Sequence, residues 1–218
     1  MSRQAVVISN GEIHDMTLIR SRLAQWGEAM VVAADGGSRY AIALGLKLDA
    51  VLGDFDSIDE LTRNILETSG TPMIVSPTHK NETDLELALL HAVEQGAQRI
   101  ALLGTLGGRM DMTMANMQLL LHPALDGLRV EVWNGGQTAW LIAPPGEEIA
   151  GATGDTLSLI PMREDVEGIV SENLEYPLAH ETLKLGIARG VSNVLAAPHA
   201  HIGFKTGLLL VVHSPGKA

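Results

Sequence analysis

Two apolar runs in the first quarter of the chain each stop at acid. Val31-Val32-Ala33-Ala34 ends at Asp35, and Val51-Leu52-Gly53 ends at Asp54-Phe55-Asp56. Carboxylates at the ends of buried strands are costly unless something pairs with them. A hard cation bound through oxygen is such a partner. On an extended backbone, carboxylates at i and i+2 point the same way, so Asp54 and Asp56 can share one ion. The competing reading is an acidic turn in which Ser57 caps the next helix. Asp35-Gly36-Gly37 also has two readings. Its glycines can take positive φ and offer N–H groups to phosphate oxygens, or they can simply make a tight strand-to-helix turn.

Two further stretches carry polar chemistry. In Lys80-Asn81-Glu82-Thr83-Asp84, Lys80 is a candidate phosphate contact, and Asp84 falls in the first turn of a helical pattern. An acid there is also favoured by the helix dipole alone. Gly104, Gly107, Gly108 and Arg109 follow one apolar run and precede another helical pattern, a combination suited to anions. The stretch lacks the Gly-Lys-Ser/Thr ending of a Walker A loop and is not a dinucleotide fingerprint. Asp111 beside Arg109 reads either as a site residue or as a local ion pair. The eight histidines show no metal-binding spacing, and His199 and His201 read as surface positions in a Pro/Gly-flanked loop. Met110, Met112, Met114 and Met117 read as helix packing.

The elements that must hold these residues have two rhythms. From Gln4 to about Trp133, apolar runs (Ala5–Ile8, Val31–Ala34, Ala50–Leu52, Met73–Val75, Ile100–Leu103, Val130–Trp133) alternate with helical patterns. The clearest helix is Asp84–Gln95, with Leu85, Ala88, Leu89, Ala92 and Val93 on one face. Thr83 and Glu86 form a capping box before it, and Gly96 stops it. Ser57 and Glu60 make the same signature before a segment ending at Gly70, and Met112–Leu121 reads as another helix. This alternation predicts a mostly parallel sheet with helices on both faces, whose ligands collect beyond the carboxyl ends of the strands. After Asn134 only strand-like runs remain: Thr138–Ala143, Thr156–Pro161, Gly168–Ser171, Leu183–Ile187 and Gly207–His213. Pro144-Pro145-Gly146 reads as a turn among them. The spacing predicts a small all-β sandwich. The expected division is an α/β domain over 1–135 and the sandwich over 136–218.

Composition narrows the partners. A net charge of −11 and the lack of any basic run argue against nucleic acid, whose affinity rests on Lys and Arg meeting phosphates. No apolar run approaches the ~20 residues that span a bilayer, and no secretory pattern opens the chain. The absence of cysteine fits a reducing compartment. The expectation is an acidic, cytoplasmic protein, and a small phosphorylated ligand stays open to it because a divalent cation can mediate between acidic side chains and phosphate.

Taken in order, Ala34-Asp35-Gly36-Gly37, Gly53-Asp54-Phe55-Asp56-Ser57, Lys80-x-x-Thr83-Asp84-x-Glu86-x-Ala88 and Gly104-x-x-Gly107-Gly108-Arg109-x-Asp111-x-x-x-Ala115-Asn116 resemble the motif series of the thiamine pyrophosphokinase family. Ser158-Leu159-Ile160-Pro161, Tyr176-Pro177-Leu178 and Gly190-Val191-Ser192-Asn193 extend the resemblance over nearly the whole chain. It implies an amino-terminal Mg-ATP-binding catalytic domain, a carboxyl-terminal thiamine-binding domain, and a homodimer with active sites shared between subunits. By motif, Asp54, Asp56 and Asp84 are implied as Mg²⁺ ligands and, with Asp111, as the catalytic set. Asp35, Gly36, Gly37, Lys80, Gly107, Gly108 and Arg109 are implied to bind ATP; Asp111, Ser192 and Asn193 are implied to bind thiamine. Two positions depart from the pattern: Met112 stands where many relatives carry His or Gln, and Val194–His201 lacks the tryptophan of animal members.

The implied reaction is transfer of diphosphate from ATP to the thiamine hydroxyl, giving thiamine diphosphate and AMP. Positioning and charge neutralisation are its main demands, and carboxylate-bound metal with backbone donors can meet them. The alternatives weighed are a diphosphokinase for a pterin alcohol, a binding protein without turnover, and a glycosyltransferase using Asp54 and Asp56. The last explains neither the Gly-Gly-Arg stretch nor the sandwich half.

Overall fold

A computed structural model describes residues 3–76 and 81–216, and the chain divides into two compact units, Met1–Gly135 and Gly136–Ala218. The first unit alternates strand and helix: β1 (Gln4–Ile8), α1 (Met16–Trp26), β2 (Met30–Ala34), α2 (Ser38–Leu44), β3 (Ala50–Gly53), α3 (Glu60–Ser69), β4 (Met73–Val75), α4 (Asp84–Glu94), β5 (Arg99–Leu103), α5 (Met110–Gln118) and β6 (Arg129–Asn134). Its strands lie in the order β6-β5-β1-β2-β3-β4, and every neighbouring pair is parallel.

The inner strands β1, β2, β3 and β5 read as continuous apolar runs because both faces are covered, whereas the edge strand β4 leaves Ile74 and Val75 exposed. Val6 and Ile8 of β1 join a core with Ile19 and Leu23 of α1, Ala41 and Leu44 of α2, and Leu66 of α3. On the opposite face, α4 packs on β1, β2 and β3 and buries Leu85, Ala88, Leu89 and Ala92. The order has one consequence for function. From β1 the chain builds outward through β2, β3 and β4, then returns to place β5 on the other flank of β1. The loops after β1 and β5 therefore part at a topological switch point, where such sheets form crevices.

Helix starts match the sequence reading at one site and correct it at another. Thr83 caps α4 as expected, its hydroxyl accepting the Glu86 N–H at 3.2 Å. Ahead of α3 the cap is Asp59, not Ser57: the Asp59 carboxylate accepts the Thr62 N–H at 2.7 Å. The Ser57 hydroxyl instead donates to Asp56. Two cap-competent side chains lay within one turn, and the acid lies next to the first helical residue. Helix α5 begins at Met110, two residues earlier than the periodicity suggested, and Leu119–Leu121 form a 3-10 turn. Met110 and Met114 are exposed, at 78% and 60%, so their side chains do not serve the packing expected of them.

The second unit is all β, with β7 (Gln137–Ile142), β8 (Gly146–Ala150), β9 (Thr156–Pro161), β10 (Val166–Glu172), β11 (Ala179–Leu183), β12 (Asn193–Val194), β13 (His199–Gly203) and β14 (Leu209–Ser214). Antiparallel sheets β12-β9-β14-β7 and β11-β10-β13-β8 enclose one core that includes Trp140, Leu157, Ile169, Leu183 and Val211. Two expectations fail here. The strand placed over Leu183–Ile187 lies earlier, at Ala179–Leu183. Lys184 onward is a turn, with the Ile187 N–H on the Lys184 carbonyl and Gly186 at φ +80°. The true strand is a polar sheet edge, which carries little apolar signal. Likewise His199–Gly203 is a strand, not a loop. His199 and His201 are exposed while Ala200 and Ile202 are buried, the alternation of a half-buried strand.

Candidate active site

Asp35 directly follows β2 with φ +46° and begins a 3-10 turn, Asp35–Gly37, that runs into α2. The left-handed residue is thus the aspartate, while the two glycines sit at negative φ and are buried. Their smallness serves packing. A Cβ on Gly37 would lie 2.2 Å from the Ile8 carbonyl oxygen, and one on Gly36 would meet the Asn10 amide at 2.6–2.7 Å. Gly53, at the end of β3, is held close to Asp35; its Cβ would come within 2.9 Å of the Asp35 Cβ.

This close approach brings acid to acid. Carboxylate oxygens of Asp35, Asp54 and Asp84 lie within 4.8 Å of one another. They come from the end of β2, the end of β3 and the first turn of α4. Asp35 is 5% exposed, and its Oδ1 has no hydrogen-bond partner among the described residues. Burial pushes its carboxyl above the usual range, and the charges of Asp84 and Asp56 push the same way; the Ser57 hydroxyl and the Gly36 N–H only partly offset this. Asp56 is exposed and lies outside the three-acid group. The extended backbone expected between Asp54 and Asp56 is absent: Phe55 takes φ +63°, and the Asp54 carboxylate accepts the Asp56 N–H at 3.2 Å.

The loop after β5 faces the same space. Gly104 adopts φ +65°, a Cβ there would lie 2.3 Å from the Ser9 carbonyl oxygen, and Gly11 donates its N–H to the Gly104 carbonyl at 2.8 Å. A cavity of about 450 Å³ opens here, lined among others by Asn10, Asp35, Asp84, Gly107, Gly108 and Arg109. Among the described residues, Gly108 has open space where a side chain would be. Arg109 and Asp111 form an exposed two-bond ion pair, Nη2 to Oδ2 at 2.6 Å and Nε to Oδ1 at 3.2 Å, which holds Asp111 below the usual carboxylate range. Asp111 stands apart from the three-acid group. Met112 is half-buried and lines the cavity. A larger open groove, about 880 Å³, lies at the amino ends of β1, β2 and β3 beside Arg3 and Trp26, away from the acids.

Several lining residues carried no sequence signal. Ser9-Asn10-Gly11 is an ordinary polar turn until the sheet order sets it beside β5. Thr105 is likewise unmarked in sequence and 3% exposed; its carbonyl accepts the amide of Asn116, the 4% exposed residue that closes the Gly-Gly-Arg motif, at 2.8 Å. Lys80 lies outside the described residues.

In the second unit, Ser192 is exposed at φ +59°, its N–H on the Ser158 hydroxyl. Asn193 is buried rather than outward-facing. Its amide donates to the Tyr176 carbonyl at 2.6 Å and its Oδ1 accepts the Tyr176 N–H at 3.1 Å, so it clamps that backbone. Tyr176 itself is 59% exposed.

Comparison with known proteins agrees with this architecture. Residues 23–132 match the family model described as thiamin pyrophosphokinase, catalytic domain, and residues 145–209 match thiamin pyrophosphokinase, vitamin B1 binding domain. A thiamine pyrophosphokinase of Bacillus subtilis is 29% identical over 84% of this chain and 86% of its own. The crystal structure of thiamine pyrophosphokinase from Bacillus subtilis superposes with a TM-score of 0.87 at 24% identity, over 98% of this chain and 99% of that one. The yeast thiamin pyrophosphokinase structure gives a TM-score of 0.79 at 16% identity, over 97% and 86%. The structures establish the shared fold, and the sequence matches establish the kinship: the chain belongs to the thiamin pyrophosphokinase family of enzymes.

Proposed function

We propose that the protein transfers the diphosphate of ATP to the hydroxyl of thiamine, giving thiamine diphosphate and AMP. The observation that carries this reading is the group formed by Asp35, Asp54 and Asp84 beside the glycine-rich turn at Gly107-Gly108-Arg109. The acids fit a divalent cation such as Mg²⁺: all donors are hard oxygens, they crowd within 4.8 Å, and a buried Asp35 oxygen lacks a partner among the described residues. Asp35, Asp54 and Asp84 would hold the ion, with the exposed Asp56 adding negative charge at the rim. When bound, Mg²⁺ supplies neutralisation of phosphate charge and fixes the phosphoryl group in orientation.

The chain's own groups account for the rest. The Gly108 backbone and the N-terminal turn of α5 offer donors to phosphate oxygens. Arg109 carries five N–H donors, of which Asp111 engages two, so the guanidinium can bind phosphate while staying aimed by Asp111. Lys80 is assigned to the same anion. The acidic field suits a cationic thiazolium, and attack of its hydroxyl at the β-phosphorus releases AMP. The enzyme acts as a cytoplasmic homodimer without nucleic acid, the sandwich of one subunit completing the thiamine site of the other through Ser192. Exposed Met110 and Met114, and in the second unit Leu185, Ile187 and Val191, support an assembly that covers apolar surface.

The test is an assay with ATP, Mg²⁺ and either thiamine or a pterin alcohol. Thiamine should be turned over. Turnover of the pterin alcohol alone, or thiamine binding without product, would overturn the reading.

A further inference from the structure

Phe55 sits between two of the acids in a conformation that bulky side chains avoid, φ +63°. Such a residue persists only where its surroundings over-determine it. Two ties do so here. The Phe55 ring is buried, 7% exposed, in the core that also holds Ile58 and Leu66. The Phe55 carbonyl accepts a hydrogen bond from Arg63 Nη2 of α3 at 3.1 Å. Helix α3 is fixed at that same end, because Asp59 caps it and the Arg63 N–H donates to the Asp59 carbonyl at 3.0 Å. Helix and turn thus brace each other. If the Phe55 carbonyl swung free, rotation of the peptide units around it would carry the Asp54 and Asp56 carboxylates away from their present directions.

We infer that Arg63 is a positioning residue for the acidic site: by holding the Phe55 carbonyl it preserves the left-handed turn that directs Asp54 toward Asp35 and Asp84. The inference rests on reading that group as a divalent-cation site. Among the described residues Arg63 forms no ion pair with a carboxylate of the group and holds the Phe55 carbonyl, so its influence runs through the backbone of Phe55. Electrostatics alone gives the opposite sign. Removing a positive charge near an acidic cluster should tighten cation binding, whereas loosening the turn should weaken it.

Mn²⁺ binding to the full chain without nucleotide, followed through the electron paramagnetic resonance of the free ion, separates the two. Arg63→Met keeps most of the aliphatic stem and loses both charge and donors. It should bind Mn²⁺ about tenfold more weakly than the wild type, the scale of losses when a ligand's supporting partner is removed. Thermal unfolding in chelator should remain close to wild type. Arg63→Gln, with a shorter neutral donor, guards against a folding failure of the first variant and should also bind more weakly. Equal or tighter binding in the folded variants overturns the positioning role. A wild-type protein whose Mn²⁺ binding is absent, or is untouched by Asp35→Asn, overturns the cation site itself and the inference with it.

Discussion

Asp35 and Asp84 present carboxylate oxygens to each other within 4.8 Å, one from the end of β2 and one from the first turn of α4, with Asp54 completing the group. Without a counter-ion this arrangement is repulsive, and Asp35 is also buried. Asp35→Asn should therefore leave metal-free stability unchanged or raised. It should also abolish the stabilisation that Mg²⁺ is expected to give the wild type, about 2.7 kcal/mol when the ion is at a hundred times its Kd. Thermal melts with and without Mg²⁺ measure both effects; a variant destabilised in chelator and still stabilised by Mg²⁺ would assign Asp35 a structural role.

The glycines divide into packing and access positions. Gly37→Ala places a Cβ 2.2 Å from the Ile8 carbonyl oxygen, so backbone must shift. A loss of about 1–3 kcal/mol or more is expected. Gly108→Ala meets nothing within 4 Å and should stay within ~0.5 kcal/mol of wild type while weakening ATP binding. Denaturant melts and nucleotide titration check the pair; equal stability of both variants would contradict the assignment.

In the second unit, Asp155 accepts the N–H groups of Ala152 and Gly216 and lies 2.8 Å from His213 Nε2. Burial alone would raise its carboxyl, yet those N–H groups and His213 outweigh burial and hold it below the usual range. A depressed folded-state pKa gives stability that is fully present above the unfolded value, ~3.9, and is lost as pH falls through the lower folded value. Asp155→Ala should cost about 1–3 kcal/mol at neutral pH, through the donors left unpaired, and should flatten the loss of stability below about pH 4. Unfolding curves across that range provide the check; an unchanged acid limb would remove Asp155 from the account.

A site shared between subunits, as proposed, predicts complementation. Asp111→Asn and Ser192→Ala homodimers should each be impaired. After subunit exchange, random pairing makes about half the dimers mixed, each with one intact and one doubly damaged site, and activity should recover to roughly a quarter of wild type. No recovery after demonstrated exchange would place both residues in one subunit's site.

The first unit was legible because its inner strands β1, β2, β3 and β5 are buried on both faces and so appear as apolar runs, two of them, β2 and β3, closed by acid. Asp35 and Asp54 could be read as strand-end acids, but their meeting with Asp84 depends on sheet order and on the close approach at Gly53. Phe55 at positive φ left no local mark, and it turned an expected extended pair, Asp54 and Asp56, into a bend. In the second unit the hidden features were polar. Ala179–Leu183 is a sheet edge with little apolar signal, and Asn193 is a motif residue turned inward to clamp Tyr176. Asn10 and Thr105 gained meaning only once β1 and β5 became neighbours.

The central claim is attack at the β-phosphorus of ATP, and the identity of the nucleotide released tests it most directly. Purified protein with ATP, Mg²⁺ and thiamine, resolved by chromatography, should yield AMP and thiamine diphosphate in equal amounts. Stoichiometric ADP with thiamine monophosphate would instead show transfer of the terminal phosphoryl group and contradict the account.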